Sequence, residues 1–566
     1  MTPLDWIVLF GTLAAIVSYG LYRSRGSNTV DRYLLAGKTM PWYAMALSIM
    51  ATQASAITFI STTGQAYVDG MRFVQFYFGL PLAMIIISAT AVPIFHRANV
   101  YTAYEYLEKR FDSKTRALVS AIFLIQRGLS VGVALAAPAI VMSVILGWPA
   151  RLTTIVVGCV VVTYTVLGGI KAITWTDVQQ MGIVFLGLLA ALVTAVWLLP
   201  RGVSFFDAVS LAGVAGRLNA VDLHFDLKNR YNIWSGLIGG TFLFLSYFGT
   251  DQSQVQRYLT GKSIAQSRLG LLFNAVAKVP MQCLILFTGA MVFVFFIYER
   301  PPLVFQQIEL QKARSDAGYP QVESHFQSAF EHRREAATRF SEARRAGDSA
   351  LRAQSAAEYH AAQKELDAAR TDAARLVEKA SGTSGFNDTN YIFLTFVTRY
   401  LPAGIVGLVI AVILSAAMSS ISGEVNSLAT VSVIDVYRRH VRRQATDRHY
   451  LWASRVATAF WGCYAVVFAD YARNLGSLIE AVNIVGSLFY GGMLGVFVLA
   501  FLFPRVRGTA AFWGVLAGEA SIFYAHFRTD ISFLWYNVVG CVVVVIVGWL
   551  LSAAIRTRAQ GLAAES

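Results

Sequence analysis

Along the 566-residue chain, apolar stretches long enough to cross a membrane alternate with short polar segments. A helix needs roughly 20 residues to cross the hydrocarbon core of a bilayer. Runs of that order fall at Trp6–Tyr22 and at 43–64, 73–95, 118–146, 152–168, 173–198, 233–256 and 268–298. They resume at 390–433, 452–470, 477–503, 510–527 and 531–555, giving thirteen predicted spans. Residues 299–388 break this rhythm. There Phe326, Phe330, Phe340, Leu351, Leu366 and Leu376 recur at helical spacing in a setting rich in Ala, Glu and Arg. Gly347-Asp348 divides the segment, so the pattern predicts an antiparallel helical hairpin standing outside the lipid.

Composition narrows the class. Hydrophobic residues make up 56% of the chain and charged residues 14%. A soluble domain carries about a quarter charged residues, so a soluble enzyme, a disordered regulator and a secreted domain are excluded. Cys159, Cys283, Cys463 and Cys541 lie in apolar runs without paired spacing, which rules out a disulfide scaffold or a zinc ribbon. No nucleophile–base set appears either, which argues against an enzyme.

The net charge of +14 is informative once it is placed on the spans. The first run begins beside Asp5 and is followed by Arg23 and Arg25, the reverse of a signal peptide's charge order. It reads as a retained helix with its N-terminus outside. On that parity the cytoplasmic loops and tail hold Arg97, Lys109, Arg110, Lys114, Arg116, Lys262, Arg438, Arg439, Arg442, Arg443, Arg505, Arg507, Arg556 and Arg558. The outer loops hold only scattered cations such as Arg72, Arg151 and Arg473. The positive-inside rule then predicts a multi-pass protein of the plasma membrane (the inner membrane, if bacterial), N-terminus out and C-terminus cytoplasmic. The excess charge marks topology, not a nucleic-acid surface. The division expected is 1–298, a hairpin insert at 299–388 that could dock an unknown partner, 389–503, and two peripheral helices with a tail at 504–566.

Two spans look interrupted. Ala51-Thr52-Gln53-Ala54-Ser55-Ala56-Ile57-Thr58 breaks the second, and Ser246 to Gln254, with Gly249-Thr250-Asp251-Gln252 at its centre, breaks the seventh. Five spans apart, they cross in opposite directions. Such paired discontinuous helices point to the midplane site of a transporter, where unwound carbonyls must find an ion, water or a solute. The ninth span carries Ser415, Ser419, Ser420 and Ser422, hydroxyls suited to a hard cation such as sodium. Arg127, Asp177, Asp251, Lys278 and Glu424 are ionisable groups within spans, each needing a partner or a task. Lys278 could pair with Asp251, bind solute oxygens or snorkel to the surface.

Gly168-Gly169-Ile170-Lys171-Ala172 leading to Trp175-Thr176-Asp177 resembles the G-G-x-x-A-x-x-W-T-D signature of the sodium/solute symporters. Tyr101-Thr102-Ala103-Tyr104-Glu105-Tyr106-Leu107-Glu108-Lys109-Arg110-Phe111 is similar to their cytoplasmic loop, and Gln256-Arg257-Tyr258-Leu259 and Asn426-Ser427-Leu428-Ala429-Thr430 complete the set. The resemblance implies an all-α, LeuT-type core of two inverted five-helix repeats, with one helix before it and two after. It also implies sodium as the coupling ion, with no organic cofactor. The family's shared sodium site falls on Ala51, Ala54, Ala416, Ser419 and Ser420. A second sodium site, present in some members, falls on Asp177 and Ser422, with Gly423 where a further serine would stand. The sugar-carrying branch's solute contacts fall on Gln53, Thr58, Asp251, Lys278 and Asn483, with Gln252 beside the second break. The expectation is a sodium-coupled symporter importing a small polar solute, sugar- or polyol-like. Symport of a monocarboxylate, sugar acid or amino acid, a proton-coupled carrier and a transporter-like sensor stay open.

Overall fold

A computed structural model describes residues 1–23, 29–382, 384–472 and 477–564. Arg25 and Arg473 lie outside the described residues, as do the side chains of Arg556 and Arg558. Nine helical stretches among the described residues are long and apolar enough to cross a membrane. The other four expected runs are helical too, but broken, short or more polar.

The chain opens with α1 (Pro3–Arg23) and α2 (Val30–Leu35), then enters the first broken pair, α3 (Trp42–Gln53) and α4 (Ala56–Asp69). A 3-10 segment at Gly70–Gly79 leads to α5 (Leu80–Ala89) and α6 (Ala91–Ala98), bent apart at Thr90. α7 (Ala103–Arg110) precedes two long elements, α8 (Ser113–Leu146) and α9 (Ala150–Trp197). α9 contains two of the expected spans. They part at Gly169, whose φ of 61° and ψ of 179° are non-helical. A Cβ there would stand 2.8 Å from the Tyr33 ring, so only glycine fits both the conformation and the contact. α10 (Phe205–Val214) follows, then the second broken pair, α11 (Gly240–Gly249) and α12 (Gln252–Leu259), and then α13 (Ile264–Tyr298).

Within residues 299–388 the helices form a hairpin. After the short α14 (Gln307–Ala313), α15 (Tyr319–Ala346) and α16 (Ser349–Ser381) pack against each other, turning at Gly347 with φ 72° and capped by Asp348. Phe326, Phe330, Phe340 and Leu366 are buried as their spacing predicts. Leu351, in the first turn after the tip, is 47% exposed. The hairpin is fastened to the membrane domain. Arg344 and Arg345 both donate to Asp207 on α10, at 2.6 and 3.1 Å, and Arg333 donates to the Phe296 carbonyl at 2.6 Å.

The expected single span 390–433 is two helices, α17 (Thr389–Tyr400) and α18 (Ile405–Val431). Pro402 forces Leu401 into an extended conformation (φ −73°, ψ 145°), and Gly404 turns the chain at φ 86°. The membrane domain ends with α19 (Asp447–Ala472), α20 (Leu478–Leu502), α21 (Gly508–Arg528) and α22 (Phe533–Ala564). At its centre runs α18, buried at nearly every position and packed on α1, α3, α4, α8, α9, α12 and α19.

Candidate solute and sodium site

The first break sits where a run of small and polar residues leaves little to hold a helix together. Ala54 ends α3 at φ −92°, ψ 67°, and Ser55 is extended before α4 begins. The unwound turn releases carbonyls toward α18. Ser420 Oγ donates to the Thr52 carbonyl at 3.3 Å and to the Ala416 carbonyl at 3.1 Å, while Thr58 Oγ1 spans the break to the Gln53 carbonyl at 3.3 Å. Ser420 therefore ties α18 to the break that also carries Ala51 and Ala54. Ser419 turns away from it, and its hydroxyl donates to Asp177.

Asp177, on α9, is fully buried and saturated. Besides Ser419 it accepts from Ser48 Oγ at 2.5 Å and pairs with Arg257 of α12 at 2.8 Å. Arg257 has room only because residue 423 is glycine. A Cβ there would lie 2.3 Å from the guanidinium. Ser422, the other residue of the expected second sodium set, donates to its own helix at the Ser419 carbonyl, 3.0 Å away. The second set thus contains a built-in guanidinium cation.

The second break is capped from within. Asp251 accepts from the Ser253 backbone N–H at 2.9 Å and from its hydroxyl at 2.7 Å, closing the start of α12. Its other oxygen pairs with Arg127 of α8 and accepts from Tyr490 at 3.2 Å. Arg127 also pairs with Glu424 at 3.0 Å and donates to Tyr490 at 2.8 Å. Gln252 binds Ala103 N at 3.0 Å and the Tyr101 carbonyl at 2.9 Å, anchoring the break to the Tyr101–Phe111 loop. Asp251 and Gln252 are thus engaged in holding the break in place.

Lys278 is different. It is fully buried on α13, yet its Nζ has neither a hydrogen bond nor an ion pair among the described residues. The nearest aromatic face, Tyr77, is 5.9 Å away. Asn274 and Gln282, one turn either side, are also fully buried, with both amide atoms unpartnered among the described residues. Gln53 Oε1 and Asn483 Nδ2 are unpartnered too. α13 packs against α3, α4 and α5, so this polar stripe lies beside the first break. Asn274 and Gln282 were not selected from sequence, although polar residues at i, i+4 and i+8 of an apolar helix carry that signal.

Two broken helices crossing at buried polar groups define a transporter rather than an enzyme. The Sodium:solute symporter family model matches residues 33–319 and 371–518, and the chain belongs to that family. It is a multi-pass membrane transporter of a sodium-coupled family whose members need no organic cofactor. Among curated relatives, human sodium-coupled monocarboxylate transporter 1 is 26% identical over 91% of this chain and 72% of its own length. The sodium/sialic acid symporter NanT of Aliivibrio fischeri is 26% identical over 98% of this chain and 94% of its own. The rabbit (Oryctolagus cuniculus) sodium-dependent multivitamin transporter is 26% identical over 92% and 70%. The solved structure of a substrate-bound, outward-open Na+-coupled sialic acid symporter superposes with a TM-score of 0.74 at 23% identity, covering 98% of each chain. The fold is the LeuT type expected.

Proposed function

We propose that the chain is a sodium symporter for a small organic acid, a monocarboxylate or sugar acid, with the solute's carboxylate held by Lys278. The supporting observation is the unpartnered Lys278 ammonium between Asn274 and Gln282. A buried cation without a counter-charge is costly, and an anionic solute removes that cost while the amides take its hydroxyl or carbonyl oxygens. Asp251, the acid that could have neutralised Lys278 internally, is bound to Arg127 instead. A neutral sugar or polyol would leave the charge unmatched. The named relatives carry monocarboxylate and sialic acid, which agrees with an acidic solute.

Sodium at Ala51, Ala54, Ala416 and Ser420, joined by Ser419 once its hydroxyl leaves Asp177, would stabilise the arrangement that opens toward the insert. Its binding there joins the first break to α18, and its loss on the other side frees the solute. Coupling is the difference in sodium affinity between the two states, and it is reciprocal. Arg257, already beside Asp177, supplies the charge a second sodium would bring, so we read one sodium per cycle. The distribution of Lys and Arg supports an outside N-terminus, a cytoplasmic C-terminus and an extracytoplasmic insert.

Lys278→Gln tests this reading in proteoliposomes, by sodium-driven uptake of lactate and sialic acid. Truncating one partner of a buried charge pair costs about 2–5 kcal/mol, so apparent affinity should fall at least roughly 30-fold. Unchanged uptake of the acids by the variant would overturn the assignment. Uptake of a neutral sugar alone by the wild type would return the solute to the sugar class.

A further inference from the structure

The hairpin does more than cover the membrane domain. Between it and the upper ends of α4 and α13 lies a pocket of about 400 Å³. Tyr67 and Phe293 form its floor, from α4 and α13, and Arg217, Arg333, Arg370 and Asp388 contribute its charge. Asp367 also lines it, so three guanidinium groups face two carboxylates.

The balance is less even than that count. Arg370 is paired with Asp388 at 3.1 Å, and Asp367 accepts from Gln363 at 2.8 Å. Arg333 is 1% exposed and among the described residues bonds only neutral groups, the Phe296 carbonyl and Gln363 Oε1 at 3.2 Å, leaving its Nε without a partner there. Burial draws the Arg333 guanidinium below its usual pKa, as expected for an under-compensated cation. Arg217 donates to the Val68 carbonyl, stacks on Phe293 at 4.4 Å and also has a buried, unpartnered Nε. Neither arginine has an ion pair among the described residues.

We propose that this pocket is a second, outer site for an organic carboxylate, built from Arg333 and Arg370 of the insert and Arg217 of the segment after α10, over the mouth of the solute pathway. Its floor belongs to α4 and α13, the helices that carry the first break and Lys278. Phe293 is fifteen residues from Lys278, about 22 Å along α13 at 1.5 Å per residue, so the two sites lie in series. The family model skips residues 320–370, which include Arg333 and Arg370, whereas Arg217, Tyr67 and Phe293 lie within its matched residues, so the insert completes a site that the shared core begins. An outer cationic site concentrates an anionic solute before it enters, and focuses its approach.

The inference rests on the organic-acid reading, and the experiment separates the two. Full-length protein carrying Lys278→Gln, reconstituted in nanodiscs in sodium-free choline buffer, is titrated with radiolabelled lactate and sialic acid. Residual, sodium-independent binding of either acid is expected, weakened at least tenfold by adding Arg217→Gln or, separately, Arg333→Gln. Circular dichroism and thermal midpoint accompany each variant, and Arg217→Gln, at a half-buried position, is the variant that keeps the fold. No binding in Lys278→Gln, or residual binding indifferent to Arg217→Gln, overturns the outer site. Failure of the organic-acid reading shows instead in the wild type, as no sodium-driven uptake of either acid.

Discussion

Arg127→Met tests the electrostatic core of the second break. Arg127 is 2% exposed and sits between two carboxylates, Glu424 at 3.0 Å and Asp251, with Tyr490 OH at 2.8 Å. At about 4 Å and an effective dielectric near 20, each pair is worth about 4 kcal/mol of attraction before desolvation. Removing one partner of a buried pair costs roughly 3–5 kcal/mol, because the other is left uncompensated. Methionine at 127 strands two carboxylates, so we expect a loss at the upper end of that range, read as a lower denaturation midpoint in mixed micelles. The triple variant Arg127→Met/Asp251→Asn/Glu424→Gln removes every charge, and asparagine at 251 keeps the cap of α12. It should return to within about 1–2 kcal/mol of the wild type. A loss below 1 kcal/mol for the single variant, or no recovery in the triple, would refute the claim that this cluster is a structural clasp.

The other expectations concern sodium, packing and the insert. Ser420→Ala should raise the sodium concentration for half-maximal uptake several-fold, and an unchanged sodium curve would remove Ser420 from the ion site. Gly423→Ala should push Arg257 off Asp177 and cost about 1–3 kcal/mol by overpacking, with the thermal midpoint as the check. Asp207 is held below the usual carboxylate range; burial alone would raise it, but the Ser204 backbone N–H and the Arg344 and Arg345 guanidinium groups outweigh that. With a depressed folded pKa, its contribution to docking the hairpin is complete above the ordinary aspartate value and fades as pH falls below it. Protection of residues 319–346 from hydrogen exchange, taken relative to the intrinsic rate at each pH, should therefore hold from neutral pH to about 4 and fall below, whereas Asp207→Asn should lower it at neutral pH and make no further difference in acid.

The pattern of apolar runs disclosed most of the architecture, because span length and the two polar interruptions follow from backbone hydrogen bonding in lipid. What it missed was local. Nothing but Pro402 and Gly404 marks the split at 401–404, and an apolar run on either side hides it. The candidate site residues stand out in the sequence by type, but their partners do not. Asp251 and Lys278 both stand as charges within spans, and only the folded chain shows that Asp251 is claimed by Arg127, 124 positions away, while Lys278 is left unpaired among the described residues. Gly423 reads as a missing serine until Arg257 is seen filling its place.

The central claim, sodium-coupled import of an organic acid, is tested most directly by radiolabelled uptake into proteoliposomes. Lactate and sialic acid are offered under an inward sodium gradient, then under a proton gradient in sodium-free buffer. The account predicts accumulation of at least one acid only with the sodium gradient, abolished by a sodium ionophore and weakened at least roughly 30-fold in apparent affinity by Lys278→Gln. Accumulation driven by protons without sodium, or by sodium for neutral sugars alone, would contradict it.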